Sequence, residues 1–208
     1  IPLEEPLHDL LDENLPEIKV INSAETQSVL AKNEIQSLSE EFNGFEKILI
    51  LAGQQKPNPK LEKLLAEIAQ KSGAVVLKEN LANLNNSEFC GIPYLLITSL
   101  LSESSKVFQP DLILTFGRTF VSKPLKQFLR KNKPAEHWHI SNSNQHADTY
   151  QSLTRVIDAT PEILFEQLLL HLKPREKAFF ENWKNQEKKV AQLRDKFIDD
   201  IGFSDLKV

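Results

Sequence analysis

The segment Phe116-Gly117-Arg118-Thr119-Phe120-Val121-Ser122-Lys123 places two cations just past an apolar run. The run PDLILTF at 110–116 reads as a buried strand, and the glycine at its end lets the backbone turn sharply. Ser122 is a suitable cap for a following helix, and a helix start favours anions through its free N–H groups and dipole. Arg118 and Lys123 together therefore form a candidate site for a carboxylate or phosphate; the alternative is that both are solvated surface cations. Ala52-Gly53-Gln54-Gln55 ends a second apolar run in the same manner. His137 and His139 stand two apart on an expected strand and share a face, a spacing open to metals, with His146 close by in sequence. No third ligand with suitable spacing follows, so half-buried imidazoles flanking Trp138 are the expectation. Cys90 lacks a placed base and reads as a small buried hydrophobe. Lys126, Arg130, Lys131 and Lys133 complement a helix C-terminus, and Glu40-Glu41 and Asp199-Asp200 fall on polar helix faces.

These groups need a frame to hold them. Apolar, β-branched runs at 17–21, 46–52, 74–79, 110–116, 136–141 and 152–159 are the expected strands. Near-continuous runs such as ILILA and LILTF suit strands covered on both faces, as parallel sheets require. Helical patterns alternate with them. Asn58-Pro59 and Thr160-Pro161 read as caps followed by proline in the first turn. Pro93 and Ser122 open two more helices, and Gly44 and Gly73 are expected as left-handed helix stops. The fold class expected is α/β: an open, mostly parallel, six-stranded sheet with helices on both faces, Rossmann-like but nucleotide-free. The expected division is a linker at 1–16, a central domain at 17–172, and a segment at 173–208 dominated by a long helix with a Phe179, Trp183, Val190, Leu193, Phe197 stripe.

Composition narrows the classes of function. The 208 residues carry 25 Lys and Arg against 29 Asp and Glu, a net charge of −4 that supplies no general attraction to nucleic acid or anionic membrane. The six glycines are never closer than nine residues, which excludes G-x-G-x-x-G, the Walker loop and the G-x-S-x-G elbow. One cysteine cannot form an internal disulfide and favours a reducing, cytoplasmic setting. Apolar stretches such as LLITSLL are too short to span a bilayer. A chain that opens at Ile1 and contains no methionine is expected to be a piece of something longer.

Several segments bear a family likeness. IPLEEPL at 1–7, KILILAG at 47–53, DLILTFGRTFVSKPLKQFL at 111–129, HWHIS at 137–141 with Asp148, and IDATP at 157–161 occur in one order. In that order they resemble the central part of the thiamine-diphosphate-dependent 2-succinyl-5-enolpyruvyl-6-hydroxy-3-cyclohexene-1-carboxylate synthase family of menaquinone biosynthesis. The resemblance implies three α/β domains in the parent, of which this chain is the middle one. It implies decarboxylation of 2-oxoglutarate and addition of the succinyl unit to isochorismate, with thiamine diphosphate and Mg²⁺ or Mn²⁺ held by the flanking N- and C-terminal domains and no cofactor here. It implies a homo-oligomeric parent, dimer or tetramer, and a substrate-contacting role for Lys123, with Arg118 beside it. Two other readings stay open on the residues alone: a self-contained module binding a small anion at 117–123, and a structural domain making subunit contacts through the Trp183 helix.

Overall fold

A computed structural model describes residues 29–102, 106–143 and 147–202. Along β1 (Ile48–Ala52) and β3 (Leu112–Phe116) every residue is buried, the pattern of strands covered on both sides. They lie at the centre of an all-parallel sheet with β2 (Val75–Lys78), β4 (Glu136–Ile140) and β5 (Arg155–Ile157), in the order β2-β1-β3-β4-β5. Five strands are present among the described residues; the further strand expected at 17–21 lies outside them. The chain reverses its direction of travel between β1 and β3, so the crevice of this doubly wound sheet opens at their carboxyl ends.

Alternate residues face alternate layers. Ile48, Ile50, Val76, Leu112 and Leu114 pack on one side with α1 (Lys32–Gly44), α2 (Pro59–Ser72) and α5 (Pro161–Leu169). Leu49, Leu51, Val75, Leu77 and Ile113 pack on the other with α3 (Pro93–Ser102), α4 (Lys123–Lys131) and α6 (Ala178–Asp200). At about 25 cal/mol per Å² of apolar surface, these two layers supply most of the driving force for folding.

Local signals set the helix ends. Asn58 Oδ1 accepts from Leu61 N at 3.0 Å, Ser122 Oγ from Leu125 N at 3.3 Å and Thr160 Oγ1 from Ile163 N at 3.4 Å. Gly73 ends α2 in the left-handed region at φ +69°. Gly44 does not: it is the last residue of α1 and keeps negative φ, with Phe45 extended behind it. The reason is tertiary, because Arg175 reaches across and donates to the Phe42, Asn43 and Phe45 carbonyls, satisfying the helix end without a left-handed turn.

The long helix begins at Ala178. Trp183 is wholly buried, with edge-on rings of Phe108, Phe128 and Phe179 at 6.1, 6.4 and 6.0 Å. The Trp183 indole itself fills this chain's own core. Further along the stripe, Leu193 and Phe197 are 60% and 57% exposed.

Candidate functional site at the carboxyl edge of the sheet

The ends of β1 and β3 approach too closely for side chains. A Cβ on Gly53 would stand 2.0 Å from the Arg118 carbonyl oxygen, and Gly117 adopts φ +76° with Gly53 backbone 3.0 Å from its own Cβ position. Gly53 N donates to Phe116 O at 2.9 Å, and Arg118 N donates to Gln54 O at 2.9 Å. The two glycines are therefore a matched pair, each vacating the space that the other's loop needs.

Beside them lies a cavity of about 620 Å³, lined by Thr115, Arg118, Thr119, His137, His139 and Tyr150 among others. Parallel register places Thr115 opposite His139 and Ile113 opposite His137, so both imidazoles and the hydroxyl share one face, as the two-residue spacing predicts. Thr115 Oγ1 is 3.0 Å from His137 Nε2 and 2.9 Å from His139 Nδ1. A hydroxyl has one hydrogen to donate, so the tautomers of the two rings are coupled through it. His137 Nδ1 faces Ser152 Oγ at 3.3 Å, and the Tyr150 ring lies 5.7 Å from the His137 ring. Burial lowers the His137 pKa to about 4, with Asp148 opposing that shift and His139 reinforcing it, so His137 is neutral at pH 7. Burial, followed by the charge of Glu79, raises the Tyr150 phenol above its ordinary value. His146 lies outside the described residues; among them, no three His, Cys, Asp or Glu side chains gather as a metal-ligand set.

Arg118 is exposed and lines this cavity. Lys123 is also exposed, but as the first residue of α4 it is not among the lining residues. Two amides just before α4 already hold an anion. Val121 N and Ser122 N donate to the two carboxylate oxygens of Glu79 at 2.8 and 2.7 Å. The chain thus supplies a carboxylate of its own to the two amides that precede α4, beside the exposed cations Arg118 and Lys123. Glu79 had no local signal, because its partners lie 42 and 43 residues away. Thr115 did have one, as the single polar residue in LILTF.

The remaining candidates are structural. Cys90 is fully buried, and burial, followed by Glu187, pushes its thiol up to about 12. Arg130, from the basic run, donates through Nε and Nη2 to Thr149 O at 3.1 and 2.8 Å, tying α4 to the loop beside the cavity. Trp138, on the face opposite the histidines, stacks under Arg155, whose guanidinium carbon is 5.1 Å from the ring centre.

Known proteins resemble this chain over most or all of its length. A 2-succinyl-5-enolpyruvyl-6-hydroxy-3-cyclohexene-1-carboxylate synthase from Flavobacterium johnsoniae is 31% identical over 212 residues, covering 100% of this chain and 37% of its own length. Those from Flavobacterium psychrophilum and Bacteroides thetaiotaomicron are 29% and 32% identical, over 100% and 92% of this chain and 37% and 34% of their own lengths. The chain thus spans little more than a third of these relatives. Residues 4–208 match the family described as the middle domain of thiamine pyrophosphate. This chain belongs to that middle-domain family of thiamine-pyrophosphate-dependent enzymes.

Proposed function

We propose that the chain is the middle segment of a longer synthase that decarboxylates 2-oxoglutarate and adds the succinyl unit to isochorismate in menaquinone biosynthesis. One observation carries this reading: residues 4–208 match a thiamine-pyrophosphate middle domain while relatives sharing that synthase name align with essentially the whole chain. Within it, residues 1–16 link to an N-terminal domain, 17–172 form the central domain, and 173–208 lead to a C-terminal domain. The exposed Leu193 and Phe197 support contact with those neighbours, and the parent is a homo-oligomer, dimer or tetramer. No helix among the described residues is long and apolar enough to cross a membrane, and the unpaired Cys90 supports a reducing, cytoplasmic setting.

In this reading Lys123 and Arg118 offer positive charge to an acidic substrate, and their exposure at the carboxyl edge of the sheet supports it. Both proposed substrates are dicarboxylates. Thiamine diphosphate with Mg²⁺ or Mn²⁺ belongs to the flanking domains. The described residues do not fit a metal–diphosphate cradle: they assemble no three-ligand set, and the two amides just before α4 are held by the Glu79 carboxylate. No chemical step of this segment runs through the cofactor. The chain's own contribution is to hold a rigid edge from which cations reach a cleft completed by other domains.

The test compares the 208-residue chain with the full-length synthase, each given thiamine diphosphate, Mg²⁺, 2-oxoglutarate and isochorismate. Product is expected from the full-length synthase and none from the isolated chain. Turnover by the isolated chain would overturn the scaffold role. In the full-length enzyme, Lys123→Ala is expected to raise KM for a carboxylate substrate about tenfold, as loss of one charge-assisted contact does.

A further inference from the structure

The loop that presents Arg118 and Lys123 is held from outside itself at both ends. At its start, Arg118 N donates to Gln54 O at 2.9 Å, and the paired glycines allow this close approach. At its end, the Glu79 carboxylate receives Val121 N and Ser122 N, the two amides immediately before Lys123. Glu79 is itself anchored. It follows β2 and precedes a short turn at Asn80–Ala82, which is tied to the β1 loop by Gln55 N to Leu81 O at 3.1 Å and Asn83 Nδ2 to Gln55 O at 2.6 Å. Three loops from three adjacent strands thus share one hydrogen-bonded collar.

We propose that Glu79 is a positioning residue for substrate recognition: its two-point grip on Val121 and Ser122 fixes where the first residue of α4, Lys123, is offered to an acidic substrate. The proposal rests on the reading of Lys123 as a substrate contact. Physically, a carboxylate accepting two backbone N–H groups at 2.7–2.8 Å is a charge-assisted pair of bonds, stronger and more directional than neutral ones. An exposed lysine on a four-carbon stem samples many positions, and fixing its backbone removes part of that freedom before substrate arrives. Glu79 touches no substrate in this scheme; it acts through the lysine.

The experiment uses the full-length synthase and steady-state kinetics for both substrates. Where Lys123→Ala raises one substrate's KM, Glu79→Ala is expected to raise that same KM about three- to tenfold, leaving the other KM and kcat within twofold. The double variant should be no worse than Lys123→Ala alone, since the two residues act as one unit. Glu79→Gln keeps one acceptor oxygen and should fall between wild type and Glu79→Ala, which keeps the proposal testable if the alanine variant folds poorly. Hydrogen exchange at Val121 and Ser122 should quicken in step with KM. A raised KM in Lys123→Ala with none in Glu79→Ala or Glu79→Gln overturns the positioning role alone. Fully additive losses, or a fall in kcat with both KM values raised, would mark Glu79 as merely structural and also overturn it. If Lys123→Ala itself leaves both KM values unchanged, the substrate-contact reading falls, and the positioning role falls with it.

Discussion

Replacing Gly53 with alanine adds one methyl group at the point where β1 and β3 leave the sheet. That methyl would sit 2.0 Å from Arg118 O and 3.0 Å from Phe116 O. Ordinary carbon contacts begin near 3.5 Å, so the strand ends must part by about 1.5 Å. Parting them breaks or weakens Gly53 N to Phe116 O and Arg118 N to Gln54 O, both 2.9 Å, at about 1 kcal/mol each. Overpacking adds about 1–3 kcal/mol. A loss of about 4 kcal/mol is expected, or a fall of about 8–16 °C in Tm for a domain of this size. Gly44→Ala is the control: nothing lies within 4 Å of its Cβ position and its φ is negative, so it should be neutral or stabilising by about 0.5–1 kcal/mol. Urea and thermal unfolding of the 208-residue chain, followed by circular dichroism, measure both. A Gly53→Ala variant within 1 kcal/mol of wild type would refute the close approach of the two loops.

Two further predictions concern buried groups. His137 has a folded pKa of about 4 against an ordinary 6.5, so the unfolded chain binds its proton more readily. Its contribution is therefore fully present above about pH 6.5 and is lost as pH falls toward 4, by about 3 kcal/mol in all. Denaturant midpoints measured across that range should show the slope, and His137→Asn should flatten it; equal slopes in the two proteins would contradict the buried neutral imidazole. Cys90, buried and raised to about 12, should resist a thiol reagent at pH 8 in the folded protein and react fully in denaturant. Rapid native labelling would show that β2 and its neighbours open far more readily than the packing implies.

What could be read from the amino acids follows the range of the interactions involved. α2 was legible from end to end because its signals are local: Asn58 and Pro59 start it, Leu61, Leu65 and Ile68 face the core, and Gly73 stops it. The buried strands announced themselves in ILILA and LILTF, whose unbroken apolar character demands cover on both faces. The shared face of His137 and His139 followed from the strand period alone. Gly44 misled because a helix stop by glycine and a helix stop by a distant arginine look alike until Arg175 is placed. The helix start at Ser122 is legible locally, yet the carboxylate on the two amides before it is not, because Glu79 comes from another strand's loop. Thr115 shows the same limit in milder form, since its partners become visible only once β3 and β4 are in register. Sheet order, and hence the carboxyl-edge cavity, emerges from packing between segments that no local pattern links.

The central claim is that these residues form the middle of a synthase joining a succinyl unit to isochorismate. Product formation by the full-length chain tests it most directly, with 2-oxoglutarate and isochorismate supplied together and then singly in the presence of thiamine diphosphate and Mg²⁺. The account predicts coupled product only when both are present, and a raised KM for a carboxylate substrate in the Lys123→Ala enzyme. A full-length chain that decarboxylates a different 2-oxo acid and leaves isochorismate untouched would contradict it.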